Sequence, residues 1–364
     1  MREGASSEVL AGAAGWWPEA ASWRDGQLLA GDVPIVSGRM IEVGSQRVPS
    51  RITFAVPDWD HGTSWVPDTA DHPLSKYGST IDLRIMVWSS VEGQPTATRM
   101  GRFRVHSWDH DDNGLVQVEA RCVLQAVDEF EFTVPEAPRS GGTLFSELRR
   151  LMIPGVPVSI DPALVDRACP SSFQWSSDRL GALYDIVDAI PARMLPDQWG
   201  GVQILAPLPD VPSPVMTLSD GLRGTVVKAP RGDTREGSPN VLVATSTSPE
   251  LASADPLMAV ARISSGPMAA TDDGTGYGQV VRRWSTPLAT SLGALQASAN
   301  TMRDRMARPT VVRSVMHAPD PRIELDDAIA VTSGGRTEWG YVVATEIPLT
   351  VDGGQARTDV GVLS

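Results

Sequence analysis

The sequence predicts a mainly β protein with an α+β insert: two small β-barrel domains flanking a small α+β domain. Three observations predict it. Apolar residues recur with period two from residue 27 to about 135, and again in segments between 215 and 364. Helical spacing is confined to two segments between 136 and 210 and to one longer run, Leu288–Ala307. Gly 33 and Pro 29 among 364 residues, about 17% together, favour short strands joined by many turns. The expected division is 1–135 for the first β domain, 136–214 for the insert and 215–364 for the second β domain with its helix.

In the first region Pro34–Val36, Arg51–Val56, Thr80–Val87, Met100–His106 and Leu115–Val123 read as strands. Ile81, Leu83, Ile85 and Val87 alternate with Asp82, Arg84 and Met86, giving one apolar and one mainly polar face. Asp109-His-Asp-Asp-Asn-Gly114 separates two of these strands, and its Asn-Gly chemistry predicts a hairpin turn. Glu92-Gly93 is a second, weaker turn signal. With no long helical pattern, this region reads as all-β.

The insert changes period. Thr143–Met152 carries Leu144, Leu148 and Leu151 at spacings of four and three, with Thr143 as its cap. Val156–Ile160 reads as a strand, and Asp178–Ile190 as a second helix with Leu180, Leu183, Tyr184, Val187 and Ile190 on one stripe. Ala192–Leu195 and Val202–Leu205 form a hairpin around Gly200-Gly201, and Ala206–Pro214 is the linker. Beyond it, Thr225–Lys228, Asn240–Ser246, Met258–Ile263, Val311–Met316, Ala328–Thr332, Gly340–Glu346 and Arg357–Val362 are strand candidates. Ala254–Pro256 and Ala269–Gly278 read as loops. The helix Leu288–Ala307 has Leu288, Leu292, Leu295, Ala299, Met302 and Met306 on one stripe.

The two β regions resemble each other. Gly101-Arg-Phe103-Arg-Val105 leads to Asn113-Gly114 and then to alternating Val116, Val118 and Ala120. Gly340-Tyr341-Val-Val343 leads, over the same span, to Asp352-Gly353 and then to Thr358, Val360 and Val362. Each is preceded by an alternating strand. The spacing predicts two copies of one small barrel, against the alternative of two ordinary hairpins that match by chance.

Charge and composition exclude several functions. A net charge of −13 runs against nucleic-acid binding, which draws its affinity from basic groups on phosphate, and against attachment to anionic membranes. No apolar run reaches the roughly 18 residues of a membrane span. Val9–Trp17 is apolar, but Glu3 and Glu8 offset Arg2, so the chain reads as leaderless and made in the cytoplasm. Cys122 and Cys169 read as small buried residues; a single bridge between them has no positive support. The bias of 29 Arg over 2 Lys points to a high-G+C genome.

The search for chemistry assigns no catalytic, cofactor-binding or metal-binding residue and expects no cofactor. No phosphate-binding loop, zinc-protease motif or nucleophile elbow occurs. Gly274-Thr-Gly276-Tyr-Gly278 lacks the strand-before, helix-after context of a dinucleotide site and reads as a loop. Asp109–Gly114 begins like a calcium loop, but its twelfth position is Ala120, with Glu119 one residue short and on the other strand face. A solvated turn is the preferred reading. His61, His72, His106, His110 and His317 lack the companions a zinc site needs. Asp272-Asp273 and Asp326-Asp327 read as turns or solvated edges rather than acid–base pairs. Eleven tryptophans, at 16, 17, 23, 59, 65, 88, 108, 175, 199, 284 and 339, fit core filling, protein interfaces or sugar contact.

Several stretches resemble a known family. Ser7–Gly12, Trp23–Gly26, Asp32–Gly38, Arg51–Val56, His72–Gly78 and Met100–Val105 look like the N-terminal region of tail hub (baseplate hub, or minor tail) proteins of long non-contractile-tailed actinobacterial phages. Arg308–Arg313, His317–Asp326 and Trp339–Val343 look like their closing barrel. One departure stands out. The usual Leu-Gly-Asp turn reads Leu325-Asp326-Asp327 here, which bears on the turn geometry.

The resemblance implies two tail-tube-like β-barrels around an α+β insert, and a homotrimeric ring whose six barrels match a sixfold tube to a threefold tip. Implied partners are the distal tail protein, the tail tube or tape measure protein, and downstream tip or fibre proteins. Genome DNA would pass through without sequence-specific binding, inside a virion tail tip assembled in the host cytoplasm. The competing readings are a carbohydrate-binding tail-tip module, with Trp16-Trp17 the first suspects, and a tail-associated cell-wall hydrolase.

Overall fold

The computed structural model describes the chain except residues 13, 91–92, 173, 210, 223, 233–238, 249–256, 308–310 and 363–364, and the side chains of 305–307. The expected loop Ala254–Pro256, Glu92 of the weaker turn and the first three residues of the Arg308–Arg313 stretch lie outside the described residues. No described helix is long and apolar enough to cross a membrane.

The fold is mainly β. After a one-turn helix, α1 (Ser7–Leu10), come β1 (Gly15–Arg24), β2 (Gln27–Ala30), β3 (Ser37–Val43), β4 (Ser50–Pro57), β5 (Trp59–Asp60), β6 (Thr63–Ser64), β7 (Thr80–Trp88), β8 (Thr96–His110) and β9 (Leu115–Arg121). Then follow α2 (Val123–Glu129), α3 (Leu144–Leu151), β10 (Val158–Ile160), α4 (Arg179–Ala189), β11 (Arg193–Pro196) and β12 (Val202–Leu205). The last part holds β13 (Met216–Ser219), β14 (Val226–Lys228), β15 (Val241–Ser246), β16 (Met258–Arg262), β17 (Val281–Thr286), α5 (Leu292–Ala307), β18 (Val311–His317), β19 (Ala328–Ser333), β20 (Arg336–Pro348) and β21 (Ala356–Val362).

Local chemistry accounts for most boundaries. Thr143 caps α3 in a reciprocal capping box: its hydroxyl accepts from Ser146 N at 3.2 Å, and Ser146 Oγ accepts from Thr143 N at 2.8 Å. Asp178 caps α4 by accepting from Gly181 N at 2.7 Å. The expected helix start at Leu288 is corrected to Leu292, because Ser291 accepts Ala294 N on its hydroxyl and Leu295 N on its carbonyl. The expected strand at Pro34–Val36 is also corrected. The ladder begins at Ser37, where proline no longer removes a donor. Several elements had no clear sequence signal, among them β1, whose Trp16-Trp17-Pro18 obscures the alternation; β3, at the junction of the two β regions; α2, only seven residues long; β13, only four; and β17, rich in Arg.

One 13-stranded sheet contains both β regions, in the order β14-β18-β21-β20-β3-β4-β9-β8-β7-β1-β2, with β19 on β20 and β13 on β19. Within it a five-strand unit occurs twice. The order β3-β4-β9-β8-β7 recurs as β14-β18-β21-β20-β19, and every neighbouring pair is antiparallel in both units. One irregularity matches as well: each long strand carries one extra residue opposite its following strand, His106 in β8 and Val343 in β20. This bulge equates Val105 with Val342, so the hairpin repeat expected from Gly101 and Gly340 is displaced by two residues. At Gly340 a Cβ would collide with the backbone of Gly361, so β20 and β21 approach this closely only with glycine there.

Inward positions correspond as well. Ile52, Phe54 and Val56 on β4 are all buried, and their equivalents on β18 are Arg313, Val315 and His317, also buried. The polar replacements are satisfied. Arg313 makes a two-pronged contact with Glu338 at 2.9 and 3.0 Å. His317 donates from Nδ1 to Ala318 O at 2.7 Å and accepts on Nε2 from Thr358 Oγ1 at 2.8 Å. Burial lowers its pKa, and the imidazole is neutral.

Three smaller sheets are present among the described residues, one of them the short β5–β6 pair. In the insert, β12 lies between β10, parallel, and β11, antiparallel. Its helices pack Leu148, Leu151, Leu180, Leu183 and Ile186 into one apolar cluster continuous with that of the first β region. Strands β16-β15-β17 form a separate sheet covered by α5, with a small-residue core of Leu242, Ala244, Ala259, Ala261, Leu295 and Ala299. The expected strands at Asn240 and Met258 and the long helix therefore form their own layer rather than extending the large sheet.

Candidate assembly surface

The two five-strand units meet where β20 pairs with β3. Strand β20 is long enough to hold β19 with Arg336–Tyr341 and β3 with Ala344–Pro348. The pairing runs from Ala344 opposite Val43 to Pro348 opposite Arg39. Gly44 N donates to Val343 O and Leu349 N to Gly38 O, both at 2.9 Å, so backbone bonds continue past both ends of the ladder. Arg39 reaches across it, donating to Glu346 Oε1 at 2.9 Å and Gly353 O at 2.8 Å.

A buried charged clamp sits beside this junction. Glu42, on β3, accepts from Arg2 Nη2 at 2.8 Å and from Ser50 Oγ at 3.0 Å. Arg2 also donates to Ile323 O at 2.5 Å. Burial opposes the charge on Arg2, but Glu42 and Glu324 outweigh it and raise its pKa. Arg322 grips Asp320 at 2.7 and 2.9 Å and donates to Ser7 Oγ at 3.1 Å. The N-terminal segment thus ties the first unit to the 320–327 turn of the second.

That turn contains the departure noted in the sequence. Asp326 stands where glycine is usual, and its φ is +69°. Aspartate is among the few side chains that accept this left-handed conformation, so the turn keeps the geometry glycine would give. Asp326 N donates to Val342 O at 2.9 Å, and its carboxylate pairs with Arg193 on β11. Asp327 accepts Glu324 N at 3.0 Å. The pair is structural: one member sets the turn and the other closes it.

Between α4, the junction and the start of β11 lies a groove of about 1160 Å³, lined among others by Tyr184, Asp185, Asp188, Arg193, Asp326 and Tyr341. Arg47 at its mouth is held by Asp178 at 2.7 Å and by Asp128 at 2.7 Å. Tyr184 donates to Arg47 O at 2.8 Å, and burial pushes its phenol up to about 12. Burial, with Asp188 and Asp178 adding to it, pushes the Asp185 carboxyl up to about 6.

The remaining sequence candidates are dispersed. Asp111 accepts from Asn113 N at 2.9 Å and Leu115 N at 3.0 Å, so the Asp109–Gly114 segment is a self-closed hairpin turn. His110 lies 3.4 Å from Asp58 and His106 3.4 Å from Glu129, on separate contacts; His72 accepts Leu74 N at 3.0 Å; His61 is exposed. Asp273 accepts from Thr275 N at 3.0 Å and Asp272 pairs with Arg262 at 2.6 Å, both within the Gly274–Gly278 loop region. Among the described residues no three His, Cys, Asp or Glu side chains converge as metal ligands. Cys122 and Cys169 are free and buried, their thiols pushed up to about 11 and about 12 by burial.

The tryptophans divide. Trp65 and Trp175 are buried, and Trp16, Trp108 and Trp284 are half-buried against the cores. Trp17, Trp59, Trp88, Trp199 and Trp339 are exposed. Trp17 and Trp88 are diagonal neighbours on the outer face of β1 and β7, since Gly15 opposes Trp88 and Trp17 opposes Met86. Trp199 lies under the Arg99 guanidinium at 4.3 Å. Sequence reasoning missed this face because its pairings join residues some seventy positions apart.

No family model matches the chain, and no curated protein matches its sequence. Solved structures do match its fold. A tail protein from Neisseria meningitidis superposes with a TM-score of 0.64 at 12% identity, covering 95% of this chain and 96% of that one. A 43 kDa tail protein of a Shewanella oneidensis prophage gives 0.60 at 11% identity over 94% and 98%. A prophage tail protein from Listeria monocytogenes gives 0.53 at 11% identity over 94% of each. At these identities the likeness is one of fold, and it runs from end to end.

Proposed function

We propose that this chain is a structural protein of a phage tail, a hub that assembles as a homotrimeric ring and adapts a sixfold tail tube to a threefold tip. The observation that carries the proposal is the end-to-end likeness to three tail proteins, two of them from prophages, over at least 94% of both chains in each case. The repeated five-strand unit supports the ring: three copies of a chain with two equivalent units offer six similar surfaces. For assembly we keep the division 1–135, 136–214 and 215–364, with β15–β17 and α5 an added layer on the last part. The actinobacterial host follows from the sequence resemblance and the Arg bias.

In this reading the ring sits at the tail tip, between the distal tail protein with the tube or tape measure protein on one side and tip or fibre proteins on the other. DNA passes through without base recognition. The charge of −13 suits a conduit whose walls repel phosphate and let DNA slide. Neutralising lumen acids in an assembled tail is expected to slow DNA ejection; unchanged ejection would count against the conduit role. The ring itself is tested by native mass across a concentration series. Three copies of the 38.9 kDa chain weigh about 117 kDa, and a strict monomer alone and with tail tubes present overturns the ring.

A second reading draws on the exposed Trp17–Trp88 pair, whose flat faces suit sugar rings. It makes the chain a carbohydrate-binding tip module. Retention on purified bacterial cell walls that is lost in Trp17→Ala supports it, and no retention excludes it.

A further inference from the structure

We propose that the outer face of the first five-strand unit carries a phosphate-binding site, built by Arg51 on β4, Arg121 on β9 and Arg104 on β8. The site needs neither the trimer nor the tail tube, so it stands apart from the hub reading.

Strand register puts the three arginines in one row. Arg51 opposes Arg121 across β4 and β9, and Arg104 opposes Arg121 across β8 and β9. Their chain neighbours Ile52, Ala120 and Val105 are buried in the apolar core, so the arginines share the opposite face. Directly opposed side chains stand about 4.5–5.5 Å apart at Cβ, and like charges at that spacing destabilise a sheet. The chain answers only the middle one. Arg121 donates from Nε to Glu119 Oε1 at 2.7 Å and from Nη1 to Gln125 Oε1 at 2.9 Å. Gln125 in turn donates to Glu129, which lies 3.4 Å from His106. Arg51 and Arg104 are half-buried, yet among the described residues neither has a side-chain hydrogen bond, an ion pair or a ring contact. Three guanidinium groups therefore share the row with one carboxylate, Glu119, in a chain whose net charge is −13.

The internal repeat shows that the fold does not require this charge. The bulge that equates Val105 with Val342 also equates Arg104 with Tyr341, Arg121 with Gly361 and Arg51 with Val312. In the second unit the row is thus valine, glycine and tyrosine, and it lines the groove beside α4. The same frame folds around uncharged residues, so the arginines are there for what they attract. A guanidinium fork matches the oxygens of a carboxylate or a phosphate. Arg51 and Arg104 flank Arg121 two strand spacings apart, about 10 Å, so their forks reach an anion from opposite sides. A planar carboxylate offers its two oxygens to one fork. A tetrahedral phosphate offers oxygens in several directions and serves both. The ligand class is therefore a phosphate group, either free or in a DNA backbone.

The test is thermal unfolding of the full chain at pH 7.5 in sodium phosphate and in sodium chloride of equal ionic strength. The parent is expected to unfold about 1–3 °C higher in phosphate. Arg51→Gln combined with Arg104→Gln is expected to lose that difference. Arg149→Gln combined with Arg167→Gln removes the same charge from exposed positions in the insert and is expected to keep it. Equal midpoints for the parent in the two salts overturn the site. So does a row variant that keeps the difference, or an insert variant that loses it, which would make the effect one of net charge. If the row variant does not fold, Arg51→Val combined with Arg104→Tyr carries the same test, since it installs the second unit's own residues. Fluorescence anisotropy of a short DNA duplex separates the two sources. Duplex binding that the row variant loses identifies the DNA backbone, and a phosphate response without duplex binding identifies free phosphate.

Discussion

Asp185 costs this protein stability at neutral pH, and replacing it with asparagine recovers that cost in a pH-dependent way. The carboxyl lines the groove beside α4, is largely buried, and sits with Asp188 and Asp178 nearby. Its pKa rises from 3.8 to about 6. A folded-state pKa above the unfolded one means that the folded chain holds the proton longer. Below pH 3.8 both states are protonated and there is no penalty. Between 3.8 and 6 stability falls as pH rises, and above 6 the loss is complete. A shift of about two units corresponds to at most about 3 kcal/mol, and partial solvent access reduces this to about 1–2 kcal/mol. Asp185→Asn keeps the shape and removes the charge. In urea unfolding the variant is expected to match the parent near pH 4 and to exceed it by about 1–2 kcal/mol at pH 7.5. A difference that is constant across pH, or a variant less stable at pH 7.5, refutes the reasoning.

Other perturbations follow from the same structure. His317 is buried and neutral with a lowered pKa, so the folded state resists protonation and stability falls as pH drops below about 6.5; His317→Gln is expected to flatten that part of the pH–stability curve. Glu42→Leu strands the buried Arg2 guanidinium and is expected to cost about 3–5 kcal/mol in denaturant unfolding. Asp326→Asn preserves the left-handed turn and is expected to stay within about 1 kcal/mol of the parent, whereas Asp326→Val, β-branched at φ +69°, is expected to lose about 1–3 kcal/mol. Leu148→Ala opens a cavity in the insert core and is expected to cost about 2–5 kcal/mol.

The legible elements were those whose signal is local. Thr143 announces its helix because a cap needs only a side-chain oxygen three residues before an orphan N–H. Alternation at Ile81–Val87 and Leu115–Arg121 announces half-buried strands because side chains change face at every residue, although the expected strand to Val123 ran two residues too far, since Cys122 caps α2 and Val123 opens it. The Asp109–Gly114 turn was readable because Asp111 bonds its own following amides. Where local signals conflicted the reading slipped: the run at Leu288 continues the helical stripe, but Ser291 interrupts it with a cap.

The candidate assembly surface was not legible in the same way. The sequence by itself determined the β-rich class, the two helices between 136 and 210, the repeat of one hairpin unit and the absence of a recognisable catalytic motif. Each of these is written in neighbours a few residues apart. The tertiary structure alone decided that β20 reaches past β19 to take β3, that the two units form one sheet, that β15–β17 and α5 stand apart from it, and that Arg2 is held by Glu42 forty residues away. Strand partners are chosen by which apolar faces can be buried together and which edges remain uncovered. That choice is made among all the strands at once, so no local stretch of sequence records it.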